Sequence, residues 1–193
     1  MGRKSLKEAR QLEIVKVFYK VAKKEGYENT SIAKIAKVMD INPSLIIHYF
    51  ETKEDLTYAL IDYILDRYLL IYPIKNQASI TQTELQQTVE SLFSKKWNLL
   101  FDDGLFYTFY ALAFREKKIK AKYKTILDSL RQALANMIEQ CNAHEDPKSA
   151  ADYIFVLVDG AYFYLSMEQD KNAYAKQLEI YKNKALAILG ITA

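Results

Sequence analysis

The sequence predicts an all-α protein of about nine helices, with a three-helix head at the N-terminal end and a helical body after it. Three observations predict this. Gly and Pro together make up 8 of 193 residues, about 4% against roughly 12% in average composition, which argues against turn-rich sandwiches, barrels and disordered chains. Apolar residues recur at three- and four-residue spacing through nearly every segment. The charge is also unevenly placed: residues 1–53 carry 11 Lys/Arg and 6 Asp/Glu, a net +5, whereas residues 54–193 carry 16 and 18, a net −2. A basic first quarter attached to a weakly acidic remainder predicts a polyanion-binding domain, 1–53, and a body with another task, 54–193.

Each helix has its own signals. Residues 6–24 place Leu12, Val15, Phe18, Tyr19 and Ala22 on one face, and Gly26 stands where a left-handed cap belongs. A short second helix covers 31–38. Asn42-Pro43, an N-cap followed by proline at the first helical position, starts a third helix that runs to about Tyr49. Thr52 with Asp55 three residues on is a weaker relative of the capping box and opens a fourth. Its stripe is Leu56, Leu60, Tyr63, Ile64, Leu70 and Ile71, ending before Pro73.

Two further helices are expected over 82–101 and 105–115, broken by Asp102-Asp103-Gly104. The seventh, about 118–141, has Ile119, Tyr123, Ile126, Leu127, Leu130, Leu134, Met137, Ile138 and Cys141 on its inner face. Pro147 opens the eighth, to about Met167, and it carries two apolar stripes: Ala151, Ile154, Phe155, Val158, Tyr162 and Leu165, and Tyr153, Val156, Leu157, Gly160, Ala161 and Tyr164. A helix apolar on both sides must be covered on both sides. The ninth, about 171–189, repeats Tyr174, Leu178, Tyr181, Ala185 and Ile188.

Several function classes are excluded. One cysteine cannot close an intrachain disulfide, and with two histidines it cannot complete a zinc cluster; no metal and no cofactor are expected. His144 with Glu145-Asp146 lacks further ligands. No stretch approaches the ~18 uninterrupted apolar residues of a membrane span, and Met1-Gly2-Arg3-Lys4-Ser5 leads into charged sequence without the apolar region of a secretory signal. A reducing, cytoplasmic setting is the expectation.

The stretch that carries function is Thr30 to Lys53. Two short helices joined by a tight turn and preceded by a basic helix form a helix-turn-helix, whose second helix can enter the ~12 Å major groove of DNA. Here Thr30, Ile35-Ala36, Asn42, His48-Tyr49-Phe50 and Lys53-Glu54-Asp55-Leu56, together with the later Leu157-Val158-Asp159-Gly160, resemble the signature of the TetR family of transcriptional regulators. The length and nine-helix pattern match that family over the whole chain. The turn position usually held by glycine is Asp40, a residue type that tolerates left-handed geometry. The recognition helix shows Ser44-Leu45-Ile46-Ile47 where the family more often has Gly, Thr, Leu and Tyr.

The resemblance implies roles. Thr30 and Ser31 would bind a phosphate at the start of the second helix, or simply cap it. Asn42, Pro43, Ser44 and Leu45 would open into the groove, Leu45 against a thymine methyl, unless Leu45 or Ile46 faces the core instead. His48, Tyr49 and Lys53 would reach backbone phosphates, with Arg3 and Lys4 as a basic arm. Ile35 and Phe50 belong to the core.

The partner would be double-stranded DNA with a palindromic operator, read by a homodimer whose two recognition helices lie about 34 Å apart. The eighth and ninth helices would form the dimer contact through Ala151, Ile154, Val158, Gly160, Ala161, Tyr164, Leu178, Tyr181 and Ala185. Tyr63, Trp97, Phe101, Phe106, Tyr107, Tyr110, Phe114, Tyr123 and Phe155 are either core or the lining of a mostly apolar effector pocket. An effector there would release a repressor from its operator. Two other readings stay open: a helical interaction adaptor whose helix-turn-helix no longer reads DNA, motivated by Leu45-Ile46-Ile47, and an enzyme using Asp102, Asp103 or Asp159, for which no nucleophile, metal or phosphate-loop motif is present.

Overall fold

The computed structural model of the chain describes residues 3–71, 79–94 and 103–191. Among these residues there are nine α-helices and no strand: α1 (Arg3–Glu25), α2 (Ile32–Met39), α3 (Pro43–Tyr49), α4 (Lys53–Ile71), α5 (Gln82–Leu92), α6 (Asp103–Arg115), α7 (Lys117–Gln140), α8 (Pro147–Leu165) and α9 (Lys171–Ile188). None of the described helices is long and apolar enough to cross a membrane.

Local chemistry explains the boundaries. Gly26 takes φ +84°, and its N–H closes α1 on Ala22. Asp40 ends α2 in the left-handed region at φ 54°, ψ 47°, its N–H shared between Ala36 and Lys37 carbonyls. The α4 start is a reciprocal box: the Asp55 N–H donates to Thr52 Oγ1 (3.0 Å), while the Thr52 N–H donates to the Asp55 carboxylate (3.2 Å). Thr81 and Glu84 form the full capping box on α5. Asp146 caps α8 ahead of Pro147, and Asp170 caps α9. Helix α6 begins at Asp103, so Asp103 and Gly104 lie within a helix rather than in the expected break. The part of the expected 82–101 helix beyond Ser94 lies outside the described residues.

The chain divides into two compact units, 1–67 with 101–123 and 68–100 with 124–193. The division falls within α4 and within α7, so the first unit holds more than the head expected from charge alone. Its core is Ile14, Val15, Phe18, Val21 and Ala22 of α1, Ile35 and Ala36 of α2, Ile46 and Phe50, Leu56, Leu60, Ile61 and Ile64 of α4, and Leu105 and Phe109 of α6. Leu12, expected inside, is exposed. The buried stripe of α1 is phased on Ile14 and Val21 instead.

The second unit buries Leu85, Val89 and Leu92 of α5, Ile126, Leu130, Leu134 and Ile138 of α7, Ala151, Ile154, Phe155, Val158, Ala161 and Leu165 of α8, and Ala185 and Leu186 of α9. The Tyr162 hydroxyl reaches the carbonyls of Leu92 (2.8 Å) and Ser94 (3.0 Å), tying the end of α5 to α8. Leu127, expected on the inner face of α7, is exposed; Ala133 and Ala135 are buried in its stead. Cys141 is half-buried and its thiol donates to the Ile80 carbonyl (3.3 Å), with burial pushing the thiol pKa up.

Candidate nucleic-acid interface

Helices α1, α2 and α3 pack against one another, and Ile35, Ala36, Ile46 and Phe50 are all buried where they meet. That core fixes which side of α3 faces outward. Ile46 is 0% exposed, whereas Leu45 is 37% and Ile47 48% exposed. The alternative that Leu45 turns into the core is therefore excluded, and Ile46 takes that place. Asn42, Pro43, Ser44 and His48 are exposed, and Tyr49 is half-buried.

The N-terminus of α3 is tightly made. Asn42 Oδ1 accepts both the Ser44 N–H (2.9 Å) and the Ser44 hydroxyl (2.8 Å). At the other end, the His48 and Tyr49 rings meet edge to face at 5.2 Å, and the Tyr49 carbonyl accepts from the Gln11 amide of α1 (3.3 Å). Helix α3 is thus pinned to α1 through its backbone, leaving its outer side chains to solvent.

Ser31 and Thr30, paired in expectation, separate. Ser31 is exposed and caps α2, accepting the Lys34 N–H at 3.3 Å. The first-turn amides beyond it have no intrahelical acceptor, the usual setting for an anion. Thr30 is 1% exposed and its hydroxyl donates to the Gly26 carbonyl (2.8 Å), so it closes the α1–α2 turn and does not present a phosphate-binding hydroxyl.

The cations also separate. Lys34 pairs with Glu25 at 2.7 Å, and that hydrogen bond and charge hold the Glu25 carboxyl below its ordinary pKa. Lys53 is half-buried, its ammonium 3.4 Å from the Tyr27 carbonyl and 4.6 Å from that ring's centroid. Lys37, in the last turn of α2, is exposed. Sequence reasoning missed Lys37 and Ile47 as outward groups of the head, although phasing both helices on their buried residues would have found them. The side chains of Arg3 and Lys4 lie outside the described residues.

The proposed pocket residues are distributed over both units. In the first unit, Tyr63 is half-buried with its ring edge-to-face on Tyr19 (6.0 Å), and Tyr107 is half-buried. Tyr110 and Phe114 are exposed and stack edge-to-face on each other at 5.0 Å. They form a surface pair rather than part of an enclosed lining. The Tyr123 hydroxyl is buried without a hydrogen-bond partner among the described residues, and burial raises its pKa. Phe155 belongs to the core of the second unit. Trp97 and Phe101, and the side chain of Phe106, lie outside the described residues.

The expected dimer residues are corrected more sharply. Ala151, Ile154, Val158, Ala161 and Ala185 are buried within their own chain, where they cannot meet a partner. The face of α8 that is open carries Tyr153, Val156, Phe163 and Tyr164, and Met167, just past the end of the helix, is exposed as well. Gly160 lies along it, and a Cβ added there would meet nothing within 4 Å. Leu178 and Tyr181 of α9 are half-buried, and Ile180 is exposed. Among the described residues no group of three or more His, Cys, Asp or Glu could hold a metal ion. His144 instead accepts the Asp146 N–H through Nδ1 at 2.9 Å.

Comparison with known proteins bears on both halves of the chain. A family model described as bacterial regulatory proteins, tetR family, matches residues 14–60, and one described as tetracyclin repressor-like, C-terminal domain, matches 80–191. An HTH-type transcriptional regulator of Staphylococcus aureus is 31% identical over 156 residues, covering 70% of this chain and 83% of the relative. A nucleoid occlusion factor of Haemophilus influenzae is 24% identical over 173 residues, 83% of this chain and 76% of the relative. Among solved structures, a TetR transcription regulator from Haloarcula marismortui superposes with TM-score 0.79 at 19% identity, over 95% of this chain and 97% of the other. A transcriptional regulator from Saccharomonospora viridis, solved in complex with choline, gives 0.73 at 19% identity over 93% and 96%.

Proposed function

Because the chain belongs to the TetR family of DNA-binding transcriptional regulators, we propose that it acts in the cytoplasm as a homodimeric repressor, released from a two-fold operator by a small, largely apolar or aromatic-caged effector. The observation that carries the DNA half is the outward side of α3: Asn42, Pro43, Ser44, Leu45 and His48 stand exposed around a buried Ile46. Of these, Asn42, Pro43, Ser44 and Leu45 are the groove-side candidates; His48, with Ser31 at the N-terminus of α2, Tyr49 and Lys53, is on the phosphate side, with Arg3 and Lys4 as the arm. Positioning through phosphates and reading through bases are separate tasks, and these two sets of residues divide them.

Dimerisation is supported by the open face of α8. Tyr153, Val156, Phe163 and Tyr164 with Gly160 between them make a run of large apolar side chains around a gap with no Cβ. A run of that kind on one helix suits burial against a second copy. The effector reading is supported by the buried hydroxyl of Tyr123, which has no hydrogen-bond partner among the described residues and which a ligand acceptor would satisfy. A hundredfold change in operator affinity would need about 2.7 kcal/mol of coupling between the two sites.

Fluorescence anisotropy against duplex DNA from immediately upstream of the gene, beside a scrambled duplex at the same salt, tests the reading. Binding at least ~10³-fold tighter to the native duplex, by an even number of chains, is the expected result. Equal, weak binding to both duplexes and to duplexes enriched from a random library, erased by salt, would reject it.

A further inference from the structure

The outer surface of α3 has an unusual chemistry for a groove reader. Successive residues of a helix are about 100° apart, so with Ile46 pointing inward, Ser44 and His48 point almost straight out. Leu45 and Ile47 then occupy the two shoulders, about 100° to either side of Ile46. Their exposures, 37% and 48%, agree with that placement. The helix is Pro-Ser-Leu-Ile-Ile-His-Tyr, with no Arg, Lys, Gln or Glu. The bidentate partners of guanine, and glutamine for adenine, are therefore absent from it.

What polar capacity the first turn has is partly consumed. The Ser44 hydroxyl proton is given to Asn42 Oδ1, and that same oxygen also accepts the Ser44 N–H. The well-exposed chemistry of the shoulders is aliphatic. In the major groove the apolar feature a base pair offers is the C5-methyl of thymine. Burying a methyl-sized apolar group against another contributes about 0.8 kcal/mol, or about fourfold in affinity.

We infer that Leu45 and Ile47 are specificity-determining residues that read thymine methyl groups on either side of the recognition helix, so that each operator half-site is selected by its methyls rather than by a guanine. This rests on the DNA-binding reading above and adds the class of operator to it. Ile47 is the residue that makes the reading two-sided; with Leu45 alone, one shoulder would face bases without a partner.

The test uses the full-length protein and the duplex it enriches from a random library. Thymines of that duplex are replaced one position at a time by deoxyuridine, which removes the methyl and leaves the pairing edge intact. The expected result is a loss of about fourfold at each of two positions per half-site, larger when both half-sites are changed. Leu45→Ala and Ile47→Ala should each become indifferent to deoxyuridine at one of those positions. Both sites are exposed, so the variants should keep their melting temperature, which circular dichroism checks.

Affinity unchanged within twofold when every thymine is replaced would overturn the inference while leaving the DNA-binding reading intact. So would variants that retain the full deoxyuridine effect. If no duplex is enriched and binding shows no sequence preference, both fall together.

Discussion

The ammonium of Lys53 stands 4.6 Å from the centroid of the Tyr27 ring, at the first residue of α4. Tyr27 holds that place from several directions. Its ring lies 6.1 Å from Phe18 and 5.6 Å, edge-on, from Phe109, so α1, α4 and α6 all meet on it. Thr57 gives its own hydroxyl proton to the Lys53 carbonyl (2.7 Å), so in the 2.9 Å contact between the two hydroxyls Tyr27 is the donor. Tyr27→Phe keeps the ring and loses that bond, and the expected cost is about 1 kcal/mol. Tyr27→Ala also empties the ring's place and should cost about 3 kcal/mol or more. Urea unfolding of both variants measures the difference.

Asp40 tests the helix-turn-helix turn. Its left-handed backbone, φ 54° and ψ 47°, is one that a β-branched side chain resists. Asp40→Val is expected to destabilise the protein by about 1–2 kcal/mol, whereas Asp40→Gly should be neutral or stabilise it by less than about 1 kcal/mol. Thermal melts at one pH would rank the three. An Asp40→Val protein as stable as the parent would show that the turn is not under this constraint.

The open face of α8 predicts a separation between folding and assembly. Val156→Asp or Tyr164→Glu places a charge on a side chain that is already exposed in the single chain. Each should leave the fold intact and weaken self-association at least ~10-fold, since a buried unpaired charge costs several kcal/mol. The matching change at Val158, buried within its own chain, should unfold the protein instead. Sedimentation equilibrium with circular dichroism distinguishes the two outcomes.

The pair Glu25–Lys34 predicts a modest acid sensitivity of the head. The hydrogen bond and charge of Lys34 hold the Glu25 carboxyl below its ordinary pKa in the folded chain. A carboxylate with a lowered folded pKa contributes stability above its unfolded value, and that contribution is lost as pH falls through the folded value. Glu25→Gln should therefore lower stability between pH 6 and 8 by the small amount an exposed pair contributes, and flatten the acid limb below the ordinary carboxylate range by that same amount. A melting-temperature series against pH checks it.

Much of this fold is written in short-range chemistry. Gly26 and Asp40 in left-handed turns, Asn42-Pro43, the Thr52–Asp55 box and Asp146-Pro147 are local devices. Each acts within about four residues, so a chain read by itself discloses them. The outward side of α3 is half-legible. Ile46 between Leu45 and Ile47 could have turned either way, because all three are aliphatic.

Only the tertiary structure decided which apolar groups lie inside. Helix α8 carries two apolar stripes, and its own core takes Ala151, Ile154, Phe155, Val158 and Leu165 of the first together with Ala161 of the second, leaving Tyr153, Val156 and Tyr164 outside. Likewise α1 is phased on Ile14 rather than Leu12, and Thr30 gives its hydroxyl to Gly26 instead of solvent. The sequence by itself determined the period, the caps, the basic head and the family. Period carries no phase where a helix is apolar all round, so the phase was set by which side chains pack without voids against neighbours distant in sequence.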